Sequence, residues 1–183
     1  MIRNEVINTI LSRRSVRSFK EEPIKDEDLL TILHAGRYAP SGMNRQPWLF
    51  TVIRNKEILA EINKLCKEDM LKAGIERAKN PDFCVYYNAP VVIIISGDKD
   101  VPTAIYDCTL AMGNMFLAGW SLGVGSCWIH AIIRVLNSED GRELKYKLNI
   151  PENHEVYSAG AFGYIKEMPQ AKEKKEEVFN FID

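Results

Sequence analysis

The chain has 183 residues and a mass of 20.9 kDa, the size of a single domain that buries its own core without disulfide or metal staples. Hydrophobic residues make up 46% and charged residues 27%, which excludes global disorder and collagen-like or coiled-coil composition. With 24 basic against 25 acidic residues the net charge is −1, so no overall pull toward nucleic acid or an anionic membrane is expected and any partner must be recognised locally.

In chain order, Val6, Ile7, Ile10 and Leu11 share one helical face within residues 3–12. RRSVRSF at 13–19 then interrupts the periodicity. Pro23 and the acids Asp26, Glu27 and Asp28 open a second helix whose core face is Leu29, Leu30, Ile32 and Leu33. APSGMNRQP at 39–47 is a loop by composition, and WLFTVI at 48–53 a strand. KEILAEINKLCKEDML at 56–71 is amphipathic, with Ile58, Ile62, Leu65 and Leu59, Cys66 at helical spacing.

Residues 72–88 are ambiguous: Phe83, Tyr86 and Tyr87 suit either a segment over a pocket or plain surface packing, and packing is slightly favoured. PVVIIIS at 90–96 is the clearest buried strand, β-branched and uncharged. A long helix apolar all round, from about Thr103 to Leu122, is expected to be the buried centre of the domain. A glycine turn, SCWIHAII at 126–133, a charged helix near 138–148 and a last core strand, VYSAGAFGYI at 156–165, complete the body. The chain ends in VFNFI at 178–182, an apolar strand-like tag beyond a polar linker. The twelve linker residues 166–177 reach on the order of 40 Å when extended, so the tag requires a docking place on its own sheet edge or a partner's. This divides the chain into a domain at 1–165 and a C-terminal arm at 166–183.

Cys66, Cys84, Cys108 and Cys127 form no C-x-x-C pair, so zinc-knuckle and thioredoxin-like spacings fail and buried free thiols are expected. The start, MIRNEV, has no apolar signal region, and a reducing cytoplasm fits best. Residues 108–133 run for 26 positions without Asp, Glu, Lys or Arg. That passes a crude length test for a membrane span, but Asn114, Ser121, His130 and the GVGS break at 123–126 favour a globular helix.

Two patterns point to other chemistries. Gly119-Trp120-Ser121-Leu122-Gly123 matches a G-x-S-x-G nucleophile elbow, followed by Asp140 and His154 in the order of a hydrolase triad. The elbow needs a strand before its serine, whereas residues 110–118 read as helix. Gly123-Val124-Gly125 opens a dinucleotide fingerprint, but Trp128 stands where the third glycine belongs. His34, His130 and His154 are isolated, so no protein-built metal site is expected.

The arginine cluster is more suggestive. Arg13, Arg14 and Arg17 with Ser15 concentrate guanidinium forks and a hydroxyl after a helix, which suits a phosphate; a solvated basic patch is the plainer alternative. Together with PSGMNRQPW at 40–48, GVGSCWI at 123–129 and GYIKEMPQAKEKKEEV at 163–178, in this order and spacing, the chain resembles the nitroreductase family of FMN-dependent oxidoreductases along nearly its whole length.

The resemblance implies an α+β fold, a central mostly antiparallel sheet flanked by helices, forming an intertwined homodimer with two FMN sites at the subunit interface and a C-terminal arm embracing the other subunit. It implies that Arg13, Arg14 and Ser15 hold the FMN phosphate and ribityl chain, and that Arg17 lies near the pyrimidine edge of the flavin, where a cation favours the reduced, anionic ring. Pro40, Ser41 and Asn44 would reach the partner's flavin, and Trp128 and Ile129 would sit beside the isoalloxazine. In the tail the family often carries a phosphate-binding arginine; here the basic residues are Lys172 and Lys174, which offer charge without a bidentate fork, and either or both are candidates for that contact.

The implied activity is ping-pong reduction of nitroaromatics, quinones or a related small-molecule acceptor by NADH or NADPH. No side chain is assigned a catalytic role. The alternatives are a non-catalytic flavin-binding or sensing protein and a serine hydrolase built on Ser121.

Overall fold

A computed structural model describes residues 2–175 and 178–182. Four strands, β1 (Trp48–Ile53), β2 (Val91–Asp98), β3 (Val124–Trp128) and β4 (His154–Tyr164), form one antiparallel sheet in the order β1-β2-β4-β3. Around it lie α1 (Glu5–Ser12), α2 (Asp26–Arg37), α3 (Lys56–Lys72), α4 (Ala104–Ser121), α5 (His130–Leu136) and α6 (Arg142–Lys147). This is the expected α+β architecture.

Side chains alternate across the sheet, and β2 shows why its sequence carries no charge until its last residue. Val92 and Ile94 join a core with Leu59, Ile62 and Cys66 of α3 and Ile132 of α5. Val91, Ile93 and Ile95 face Leu29 and Ile32 of α2 and Met112 and Met115 of α4 on the other side. Both faces of the strand are covered, so every residue from Val91 to Gly97 is buried. Helix starts follow local chemistry: the Asn4 and Asn55 side-chain oxygens accept backbone N–H bonds from Ile7 and from Glu57 and Ile58, satisfying donors that the first turns of α1 and α3 leave unpaired.

Residues 72–88 pack against the body of the domain, and their aromatic group also reaches the arginine segment through Tyr87. A 3-10 turn at Glu76–Lys79 leads into turns that bury Ala78 and Val85 and lay Phe83, Tyr86 and Tyr87 against the core. All four cysteines are free, with Cys66, Cys108 and Cys127 buried. Burial pushes the Cys66 and Cys108 thiols up to about 12, which keeps both protonated and unreactive at neutral pH.

Three expectations are modified. The apolar face of α1 is not buried within the chain; Val6 is 66% exposed, and no residue of the helix is buried. The long helix α4 is buried along one side only, through Ala104, Asp107, Cys108, Ala111, Met112, Met115 and Gly119, while Ile105, Tyr106 and Leu110 are exposed. Residues 178–182 form no strand, and Phe181 is 84% exposed. Apolar periodicity reports that a face is to be covered, not by what. Among the described residues no helix is long and apolar enough to cross a membrane.

Beyond β4, Ile165 bridges to Phe19, and the Lys166 N–H donates to the Ser18 carbonyl at 3.1 Å. From there the chain is irregular and largely exposed. The predicted arm at 166–183 includes Glu176, Glu177 and Asp183, which lie outside the described residues.

Candidate functional site

Because β3 ends the order β1-β2-β4-β3, one of its edges is open to further pairing. The segment after α1 covers it. Ser15 bridges Ser126 in parallel and the Val16 N–H donates to the Ser126 carbonyl at 2.9 Å; farther along, the Lys20 N–H donates at 2.9 Å to the carbonyl of Tyr164, at the end of β4. Extended backbone alternates its side chains, so with Val16 fully buried in the core, Ser15 and Arg17 fall on the opposite side.

Gly125 makes this docking possible. A Cβ there would lie 2.6 Å from Val16 Cγ2 and 2.9 Å from Ile165 Cγ1. Gly125→Ala is therefore expected to lift the 15–17 segment from β3 and destabilise the protein by about 1–3 kcal/mol through overpacking. Thermal unfolding checks this; an unchanged midpoint would show that Val16 yields without cost.

The three arginines occupy distinct settings. Arg13 caps α1, with its guanidinium carbon 5.9 Å from the centre of the Phe116 ring of α4. One Arg14 Nη donates to the Leu11 and Arg13 carbonyls at 2.8 and 2.9 Å. Arg17 Nε donates to the Tyr87 hydroxyl at 3.3 Å, and that bond holds the guanidinium above its already high ordinary pKa. The nearby Cys127 thiol is pushed up by burial, against an opposing pull from Arg17 and Arg13. None of the three arginines is paired with a carboxylate among the described residues. Three unneutralised cations and a hydroxyl within five residues make a donor set that fits a phosphate. Trp128, at the end of β3, is half-buried, and Ile129 is buried with its N–H donated to the Ala159 carbonyl at 2.9 Å.

The other predicted group is built elsewhere. In the 40–46 loop, Met43, Asn44 and Gln46 have φ of 51°, 55° and 48°, a left-handed conformation costing non-glycine residues about 1–2 kcal/mol each. Asp107, 4% exposed on the first turn of α4, holds the loop: it accepts from the Gly42 N–H at 3.1 Å and from the Thr103 hydroxyl at 2.9 Å. Ser41 Oγ accepts from the Gln46 N–H at 3.1 Å. Phe116, beside Arg13, lies nine residues beyond Asp107, about 13–14 Å along α4. No hydrogen bond among the described residues joins Ser41 or Asn44 to Arg13, Arg14, Ser15 or Arg17. Lys172 and Lys174 are exposed on the tail. The chain thus assembles the arginine segment with Trp128 and Ile129, and leaves the loop and the two lysines apart.

The sequence alone did not single out Asp107 or Cys127, and it offered Tyr87 only through the less favoured alternative of an aromatic segment over a pocket. Asp107 left a usable signal: it is the last charged residue before the uncharged run, on a helix otherwise free of charge. The pairing of Tyr87 with Arg17 left none, because the two are 70 residues apart.

The hydrolase pattern is dispersed. Ser121 ends α4, is followed rather than preceded by β3, and donates its hydroxyl to the Ala118 carbonyl at 2.8 Å. Asp140 pairs with Lys72, and the His154 ring is bonded to Ser96 Oγ at 3.1 Å. His154 and Tyr164 mark opposite ends of β4, about 33 Å apart, and the Ser121 side of the fold meets the Tyr164 end through the Val124–Tyr164 pair. Ser121→Ala is expected to change no activity, and a fluorophosphonate probe to leave the protein unlabelled; labelling lost in the variant would reverse this.

Residues 10–164 match the family model described as the Nitroreductase family. A relative from Archaeoglobus fulgidus, provisionally named NADH dehydrogenase/NAD(P)H nitroreductase, is 33% identical over 168 residues, covering 89% of this chain and 87% of its own. A crystal structure of a nitroreductase with bound FMN from Bacteroides fragilis is 37% identical, with a TM-score of 0.91 over 99% of this chain and 100% of that one. An FMN-dependent nitroreductase from Clostridium difficile is 32% identical, with a TM-score of 0.85 over 97% and 99% of the two chains. The family model spans most of the chain and the likenesses run along its length, so the chain belongs to the nitroreductase family.

Proposed function

We propose that the protein is an FMN-dependent oxidoreductase that takes electrons from NADH or NADPH and reduces nitroaromatics, quinones or a related small acceptor. The observation that carries this reading is the carboxylate-free cluster Arg13, Arg14, Ser15 and Arg17 on the edge of β3 next to Trp128. Family membership and FMN-bound relatives support it.

Arg13, Arg14 and Ser15 would hold the phosphate and ribityl chain, and Arg17, Trp128 and Ile129 the flavin ring. Pro40, Ser41 and Asn44 would contact the cofactor from the partner subunit, with Lys172 and Lys174 as further phosphate donors on the arm at 166–183. When bound, FMN supplies a two-electron carrier that takes hydride from the nicotinamide and returns it to the acceptor in a second, separate half-reaction.

The protein's own part is binding, orientation and charge. Arg17, exposed and cationic, offers positive potential where electron density accumulates. The strained 43–46 segment, fixed by Asp107, presents its polar groups without reorganising on binding. We place the protein in the cytoplasm as a homodimer. Four unpaired thiols support the first assignment. The exposed apolar faces of α1 and α4 and the side chains of Val178, Phe179, Phe181 and Ile182 support the second.

The test is a visible absorption spectrum of purified protein loaded with FMN, before and after anaerobic NADH or NADPH. Retained flavin that bleaches, and recovers with a quinone or nitroaromatic, supports the oxidoreductase. Flavin that stays bound but is bleached by neither nicotinamide would favour a binding or sensing protein. Failure to retain flavin would overturn the reading.

A further inference from the structure

We infer that Tyr87 is a positioning residue for Arg17, fixing its guanidinium at the cofactor site without neutralising it; this rests on the FMN reading above. Arg17 is exposed and reaches one defined side-chain partner among the described residues. Its Nε donates to the Tyr87 hydroxyl at 3.3 Å, and its guanidinium carbon lies 5.7 Å from the centre of the Tyr87 ring.

The chemistry of that partner matters. A carboxylate would hold the arginine equally well but cancel its charge. A phenol and a ring face restrain it while leaving the full positive charge for a ligand. Of the five guanidinium N–H donors only the one on Nε is used, so the four on the terminal nitrogens, which form the bidentate fork, have no protein acceptor among the described residues. Ordering a long side chain before the ligand arrives lowers the entropic cost of binding.

The backbone presents Tyr87 for this purpose. Tyr87 and Asn88 have φ of 56° and 54°, a conformation that non-glycine residues hold only when their surroundings impose it. Here the Val85 N–H donates to Asn63 Oδ1 of α3 at 2.9 Å, the Tyr87 N–H to the Cys84 carbonyl at 3.0 Å, and the Ala89 N–H to the Tyr86 carbonyl at 3.1 Å. Val85 and Ala89, buried on either side, lock the turn to the core immediately before β2. The 80–88 segment thereby tunes the site through Arg17.

The test compares wild type, Tyr87→Phe, Tyr87→Leu, Arg17→Ala and the Arg17→Ala/Tyr87→Leu double variant. FMN affinity is read from quenching of flavin fluorescence, and the midpoint potential of bound FMN from equilibration with reference dyes. Tyr87→Leu is expected to weaken FMN binding by about three- to tenfold, and Tyr87→Phe, which keeps the ring, by about two- to threefold. Both lower the midpoint potential, and Tyr87→Leu has no further effect when Arg17 is already alanine.

Equal effects of Tyr87→Leu with and without Arg17, or no effect in either background, would overturn the inference. If Arg17→Ala changes neither affinity nor potential, the inference falls while the FMN reading, carried by Arg13, stands. Wild-type protein that binds no FMN would overturn both.

Discussion

Replacing Arg13 by alanine is expected to weaken FMN binding by about 10- to 150-fold, the equivalent of losing a charged hydrogen-bond donor worth about 1.5–3 kcal/mol. Arg17→Ala is expected to have an effect of the same order. Arg13 is half-buried between the end of α1 and the Phe116 ring, and no carboxylate among the described residues competes for it. Its structural contribution is small, since a cation–π contact at a partly exposed position is worth about 0.5–1 kcal/mol. The apoprotein should therefore unfold within a few degrees of wild type while its affinity for FMN collapses. Fluorescence titration with FMN, beside a thermal melt of the apoprotein, separates the two effects. Unchanged affinity in both arginine variants would remove the basis for placing the cofactor on the edge of β3.

Asp107→Ala is expected to do the reverse, damaging the protein before the cofactor is considered. The carboxylate is almost fully buried and serves Gly42 in the loop and Thr103 at the start of α4. Its removal leaves the Gly42 N–H without its acceptor and frees a loop with three non-glycine residues at positive φ. Loss of a charged, buried acceptor costs on the order of 3 kcal/mol, which for a chain of this size lowers the unfolding midpoint by about 6–12 °C.

The strained loop then relaxes to other conformations, and proteolysis at Arg45 should accelerate. Asp107→Asn keeps one side-chain oxygen for the Gly42 N–H and should lose less than the alanine variant. A melt and a trypsin time course check both. A stable Asp107→Ala protein with an unchanged cleavage pattern would show that the loop is held by Ser41 and its own turns.

These two variants divide the candidate site along the line that divides what is legible in the chain. The arginine segment can be read because its residues are neighbours: Arg13, Arg14, Ser15 and Arg17 lie within five positions, and their chemistry is visible without a fold. Its attachment to β3 is not, since the Ser15–Ser126 bridge joins residues 111 positions apart. Asp107 and Tyr87 are likewise defined by partners 65 and 70 residues away. No periodicity reports such pairs, because sequence patterns describe which face of an element is apolar, not which side chain arrives opposite it.

By itself the sequence determined most of the elements and the family, although the glycine turn read at 123–126 lies largely in β3 and 126–133 divides between β3 and α5. Runs of aromatic and β-branched residues placed β1 at Trp48–Ile53 and β2, and the period-3.6 pattern α3, within a few residues of their bounds, because backbone conformation answers to local side-chain pattern and capping. The motifs at 13–19, 40–48 and 123–129 were enough for the family. Only the tertiary structure decided that β3 lies at an edge open to the arginine segment, that Asp107 binds the strained loop, and that α4 covers the sheet with one side while Ile105, Tyr106 and Leu110 remain exposed. Each of those outcomes depends on which distant surfaces meet, and that follows from packing both faces of the sheet at once rather than from any stretch of chain read alone.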